Sequence, residues 1–326
     1  MAAGLFPGFN LPNQKNNLSG TALLKTLLTI VFATGSQQAF SQFIPQNTIT
    51  VTGMNVPASR YIRSKNRADT KLKTTQQSTN LGYSFPISSQ KDSLTGKVSS
   101  WTGTISGGYS RLTHKDDANN LIPNRLLSSD LGAIHYRSIN ARWSVVSMFS
   151  AGINSDLEKL SSHDLFINGA VLFIRTYSPT FSMGFGGSIY NALSTPLLLP
   201  GFLLQWQTTG KFRLNIDLSS EMSVAYHTSE KTELKLALRP KNLSYDVENE
   251  VDPKKTMLNY WELPVGLENK WKGKRIDFMV SAGVMTLRSF QFGERGIKNI
   301  YQSPPAHMLK ANLFVNAGIS YRIKKQ

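Results

Sequence analysis

Residues 309–323 read Leu309-Lys310-Ala311-Asn312-Leu313-Phe314-Val315-Asn316-Ala317-Gly318-Ile319-Ser320-Tyr321-Arg322-Ile323. Leu309, Ala311, Leu313, Val315, Ala317, Ile319, Tyr321 and Ile323 take every second place, and Lys310, Asn312, Phe314, Asn316, Gly318, Ser320 and Arg322 stand between them. Side chains of an extended strand alternate between two faces, so this period of two predicts one apolar face and one mainly polar face. At ~3.3 Å per residue, such a strand crosses a bilayer even when tilted.

The same pattern recurs upstream. Trp261, Leu263, Val265 and Leu267 share a face that ends in Trp271, opposite Tyr260, Glu262, Gly266, Glu268 and Lys270. A tight turn, Lys272-Gly273-Lys274, leads into Ile276, Phe278, Val280, Ala282 and Val284, with Asp277 on the other face. Leu234, Leu236 and Leu238 alternate with Glu233, Lys235, Ala237 and Arg239. Phe212, Leu214, Ile216 and Leu218 alternate with Arg213, Asn215 and Asp217, and Trp143 to Ile153 gives a further stripe. No apolar stripe of period 3.6 competes after residue 42.

A soluble sandwich also alternates. Its strands usually have ~5–6 residues, whereas these run to ~10–15 and carry Trp, Tyr or Phe at their ends. The connections alternate short and long. Strand segments fall near residues 47–57, 72–85, 98–112, 130–138, 142–155, 164–177, 181–190, 197–207, 211–218, 221–228, 233–246, 257–271, 275–290 and 310–323. The expectation is an all-β fold: an antiparallel transmembrane β-barrel of about 12–14 strands in an up-and-down meander. Fourteen satisfies the even count of single-chain bacterial barrels. The stretch 211–228 would break that parity if it were one strand bent at Ser219-Ser220. Residues 86–97 read as a long turn.

The chain has 326 residues, no cysteine, 40 % hydrophobic and 17 % charged residues. That charged share lies below the ~25 % of soluble domains. Collagen, coiled coil, a disulfide framework and a thiolate zinc site are excluded. Nothing beyond residue 41 reaches the ~20 apolar residues of a membrane-spanning helix. Residues 1–41 hold no acid; Lys15 and Lys25 precede Leu27-Leu28-Thr29-Ile30-Val31-Phe32-Ala33, and the segment closes on Ala39-Phe40-Ser41. This predicts a signal peptide over 1–41, cleaved near Ser41, and a barrel domain over 42–326 in the cell outer membrane.

Asn80-Leu81-Gly82-Tyr83-Ser84-Phe85-Pro86-Ile87, Leu198-Leu199-Pro200-Gly201-Phe202 and Asn316 to Ile323 together carry a resemblance. With them the chain resembles an uncharacterised family of outer-membrane β-barrel proteins of Bacteroidota, a domain of unknown function. The resemblance implies a barrel and a location and supplies no catalytic or ligand residues. Such barrels usually end on an aromatic residue, whereas this chain continues into Lys324-Lys325-Gln326.

Catalysis, metals and cofactors find no pattern. His114, His135, His163, His227 and His307 lack metal-ligand spacing. His135 and His163-Asp164 are candidates to serve a serine nucleophile, and no G-x-S-x-G elbow accompanies them. Asp246, Glu248, Glu250 and Asp252 alternate beside Lys254-Lys255 as a solvated loop, without the glycine and spacing of a calcium loop. Gly103, Gly107, Gly108, Gly184, Gly186 and Gly187 lie inside strands and mark close packing. Lysine and arginine exceed acids by 36 − 20 = +16. No basic cluster with interleaved aromatics supports nucleic-acid binding. The expected partners are outer-membrane lipid and lipopolysaccharide, the barrel assembly machinery and a small solute. The polar faces nominate Arg213, Asp217, Glu233, Lys235, Arg239, Glu262, Glu268, Lys270, Asp277, Lys310 and Arg322 as lumen-facing residues. The leading expectation is a channel or transporter for small polar or amphipathic solutes. The alternative is a closed structural or surface-interaction barrel whose inward charges interlock.

Overall fold

The computed structural model describes residues 47–62, 69–115, 122–191, 196–208, 210–248, 254–296 and 307–323. The expected signal peptide lies outside the described residues. Eight long strands open the chain: β1 (Thr48–Ile62), β2 (Asp69–Lys91), β3 (Val98–Lys115), β4 (Arg125–Ser138), β5 (Trp143–Ser155), β6 (Leu165–Ser178), β7 (Phe181–Tyr190) and β8 (Leu197–Gln207). Four shorter segments follow, β9 (Phe212–Asp217), β10 (Glu221–His227), β11 (Thr232–Leu238) and β12 (Lys241–Asp246). The wall ends with β13 (Met257–Lys272), β14 (Ile276–Gly293), β15 (His307–Leu309) and β16 (Asn312–Arg322).

Both β11 and β12 pair with β13, and both β15 and β16 pair with β14 and β1, so each pair is one interrupted wall strand. The result is a closed 14-strand antiparallel meander. The seam is β1 against β16, from Thr48–Arg322 to Asn55–Val315. Among the described residues there is no α-helix, only a 3-10 turn at Ser162–Asp164.

The first and last described residues lie at one end, where the Ile323 N–H donates to the Asn47 carbonyl at 2.8 Å. Short side-chain-stapled turns join strands at this near end. Asn140 Oδ1 accepts from the Arg142 and Trp143 amides. The Asp92 carboxylate accepts from the Thr95 hydroxyl and the Leu94 amide, which hold its pKa below the usual carboxylate range. Gly96 supplies the left-handed backbone (φ +67°) that this turn requires.

Strands expose their apolar stripe outward. Trp101, Tyr177, Trp206, Phe212, Trp271 and Tyr321 are exposed at the near ends of their strands and form a girdle. Trp261 and Trp271 lie ten residues apart on β13. That is ~33 Å along a strand, or ~25 Å of height at the usual tilt, the thickness of an outer-membrane apolar band.

Two sequence expectations are corrected. Residues 86–97 are not one long turn: β2 runs on to Lys91 through an irregularity between Pro86 and Ser88, leaving a turn only at 92–97. The stripe of 309–323 is not continuous: the Lys310-Ala311 break lets the Lys310 amide bond to the Arg60 carbonyl and resets the phase. Leu309 is therefore buried while Leu313 to Tyr321 alternate outward. The stretch 211–228 is, as expected, two strands with a turn at 218–220, which keeps the count even.

Candidate functional site

Cross-strand register brings opposite charges together on the inner face. Lys235 stands opposite Glu268, and Glu233 opposite Lys270. Each of three buried carboxylates here takes at least two cations. Glu233 pairs with Arg213 at 2.8 Å and Lys272 at 2.7 Å, with His227 at 3.4 Å beside them. Glu268 pairs with Lys235 at 3.0 Å and Arg239 at 2.5 Å. The same two cations hold Glu221, at 3.1 and 2.8 Å. Asp277 pairs with Lys270 at 3.4 Å and Arg322 at 2.9 Å. Glu233, Glu268 and Asp277 keep 7 % exposure or less, whereas their cations keep 15–33 %. The acids are the more buried partners, and they and every one of these cations except Arg322 border a cavity of about 270 Å³.

Eight of the eleven nominated residues thus meet in one lattice. The other three do not. Asp217 staples the 218–220 turn, accepting from the Ser219 amide at 2.9 Å and the Ser220 hydroxyl at 2.8 Å. Lys310 is exposed at the break before β16. Glu262 belongs to a separate buried cluster nearer the far end, where it accepts from Gln76 Nε2 at 2.5 Å. Gln76 Oε1 in turn accepts from Tyr260 and from Arg288 Nη1, each at 3.1 Å. Glu221 and Lys272 belong to the lattice but were not nominated. Lys272 follows Lys270 in the alternation of β13 but reads as part of the 272–274 turn, and Glu221 stands first in the short β10.

Above the Gln76 cluster the inner faces meet in an apolar core. Tyr61, Leu112, Leu126, Leu258, Phe290 and Leu309 are buried against Tyr245 of β12. The core closes because β12 leans inward across the bore. The Ser244 carbonyl accepts from Asn154 Nδ2 at 3.0 Å, and the Ser244 hydroxyl from Asn191 Nδ2 at 2.7 Å. Asp246 makes a single parallel bridge to Ser155 and an ion pair with Arg295 at 2.7 Å. At the far end, then, β12 joins β5 directly, and β6–β8 stand outside a ring of β1–β5 and β12–β15. A ring of about eight strands is just filled by its own side chains. This one has nine, and its interior is packed.

Between core and lattice lies a second cavity of about 320 Å³, bordered by Ser106, Asp130, Ile134, Met148, Asn168 and Ser188. Its wall mixes hydroxyls, an acid and apolar groups. The remaining nominees for chemistry make local contacts, among them His163, whose Nδ1 lies 3.4 Å from the Ser161 hydroxyl. His135 stacks on Trp101 with ring centroids 4.4 Å apart, and Asp164 caps the 3-10 turn through the Ser161 amide. Asp246 is paired as above, the Glu248 amide donates to Asp156, and Glu250 and Asp252 lie outside the described residues.

A family model described as a domain of unknown function, DUF6268, matches residues 37–322. The chain belongs to this family. No curated protein sequence matches it. Among solved structures, the COG4313 outer membrane channel from Pseudomonas putida F1 is 9 % identical, with a TM-score of 0.43 over 85 % of this chain and 96 % of that one. The TodX monoaromatic hydrocarbon channel is 9 % identical, TM-score 0.43, over 88 % and 93 %. The KdgM porin is 8 % identical, TM-score 0.35, over 85 % and 99 %. Likeness this low carries nothing about what this family member passes or binds.

Proposed function

We propose that this DUF6268 protein is an outer-membrane passage barrel for a small amphipathic solute, with its near end toward the periplasm. Short turns, the start of β1 and the end of β16 at the near end, longer connections at the far end and the aromatic-edged apolar band support this placement. Lipopolysaccharide phosphates on the outside and the assembly machinery on the inside are then its natural envelope partners, and the basic balance suits the former.

One observation carries the passage reading: the bore changes width along its length. The near half keeps fourteen strands and holds two cavities, one charged and one of mixed polarity. The far half narrows to a nine-strand ring filled by side chains. Cavities below a packed cap favour passage over a bore filled along its whole length. The axial route outward is shut in this state.

Planar-bilayer conductance of the purified protein tests the seal. The expected result is little steady ion conductance for the unmodified chain, rising when Tyr245→Ala and Leu258→Ala thin the core. Large steady conductance before any substitution would overturn the sealed axis. Retention of closed behaviour together with no solute flux into proteoliposomes would favour the closed structural barrel.

A further inference from the structure

We infer that the wall has a side opening between β8 and β12, above the tip of the β9–β10 hairpin, through which a small amphipathic anion moves between the inner cavities and the membrane side. The inference rests on the passage reading and names its route and its solute class.

The opening follows from strand length. β9 and β10 have six and seven residues. A strand needs ~9–11 residues to cross when tilted, so this hairpin ends part-way up the wall. Above its tip, nothing among the described residues pairs with β8 on that side. Pairing between β8 and β9 begins only at Leu203–Asp217, with the Leu218 amide reaching the Phe202 carbonyl at 3.2 Å.

Strand geometry says which groups are left bare. The Gln207 amide donates to Thr180, and the Leu199 carbonyl accepts from Ser188, so odd-numbered β8 residues direct their backbone toward β7. Even-numbered residues direct theirs to the other side, where Phe202 meets Leu218 and Leu198 and Pro200 meet no described strand. Pro200 has no N–H to lose there, the placement proline finds on free edges. Leu198 is 75 % exposed. The opposite lip is β12, which leans away toward β5. An open sheet edge is not tolerated against lipid tails; at membrane depth it must line water or solute.

The rim has two chemistries. Leu197, Leu198 and Leu199 form the β8 lip. The sill is the hairpin tip, where Glu221 is pinned by Lys235 and Arg239. Those two cations also border the charged cavity, which has five lysines and arginines against three acids on its lining. An apolar lip beside a cation-rich sill suits a solute with an apolar body and one negative end.

The chain has no cysteine, so a pair introduced as Leu199→Cys and Asn242→Cys is unique. These positions lie on the two lips. Bridging them with a bis-maleimide that has a reducible spacer closes the opening; octanoate is the probe, and proteoliposome flux the readout. The expected result is octanoate flux in the unbridged protein, loss of most of it on bridging, recovery on reduction, and no loss in either single-cysteine protein treated alike. Flux unchanged by a bridge verified by mass would overturn the side opening while leaving passage intact. No octanoate flux in the unmodified protein would overturn the passage reading and the opening with it. A bimane dye on Cys at position 199 gives a readout independent of flux. Quenching by aqueous iodide is expected, and an unquenched, blue-shifted emission would overturn the wet edge.

Discussion

At Glu268 a single carboxylate, 2 % exposed, sits between Lys235 and Arg239, which also share Glu221. Removing its charge leaves two cations half-paired over a wall position with little water. Breaking a buried pair costs about 3–5 kcal/mol. Because the cations here are partly solvated, Glu268→Gln should fall near the lower end, about 3 kcal/mol. Urea unfolding in lipid or detergent, followed by heat-modifiable gel migration, measures this. Lys310→Gln, at an exposed position outside the lattice, should stay within ~0.5 kcal/mol. Similar costs at both sites would mean that the lattice adds nothing to stability. Most lattice members could be read from alternation, because register is what brings Lys235 opposite Glu268. Glu221 was hidden by standing first in a short strand, and Lys272 by reading as part of a turn. Asp217 shows the converse limit: period places it inward, but the 218–220 turn claims its carboxylate.

Among the strands, fourteen segments were legible because most core-facing and lipid-facing residues differ in polarity at every step of two. Interruptions were not legible. The break at Lys310-Ala311 and the slip between Leu263 and Pro264 change phase through backbone bonding, whereas the break at Arg239-Pro240 interrupts its strand and keeps the register to β13. Pro240 and Pro264 were the available hints. Leu236 and Leu313, 53 % and 65 % exposed, stand on the outward stripe. Arginine at either should cost about 2–4 kcal/mol if that stripe meets lipid near the midplane. Asn316→Arg, on the inner face of β16, should be milder, since water and polar neighbours solvate the charge there. Folding titrations into lipid vesicles compare them, and equal costs on both faces would contradict a lipid-facing stripe.

For the whole molecule the decisive property is that one wall encloses two ring sizes. Nothing in the sequence announces this, because the smaller ring is closed by a single bridge, Asp246 to Ser155, and by the Asn154 amide, while the Asn191 amide ties the end of β7 to β12. These are common polar residues at strand ends. The charge arithmetic belongs to this scale too. The nominated residues divide six basic to five acidic, which is nearly neutral; the cavity lining divides five to three. Fixed charge concentrates counter-ions within a Debye length, ~8 Å at physiological salt. Any conductance released by thinning the core should therefore favour anions mildly at low salt, and the preference should fade as salt rises. Reversal potentials across a salt gradient measure it, and cation preference would contradict the lining arithmetic.

The seam between β1 and β16 has a consequence for how the wall comes together. Nearly every other pairing joins strands adjacent in sequence, so each can form from a short local segment. The seam instead brings Thr48 to Arg322, 322 − 48 = 274 positions apart. Loop-closure entropy grows only with the logarithm of length, so this costs roughly 3 kcal/mol more than closing a ten-residue hairpin. Eight register pairs face that cost. The penalty of circularity is thus modest in free energy and heavy in search time, since slow folding attends contacts between distant parts of a chain. Until the seam forms, β1 and β16 are two bare edges, and the interval in which the chain is most open to pairing with a neighbour is the wait for its own two ends to meet.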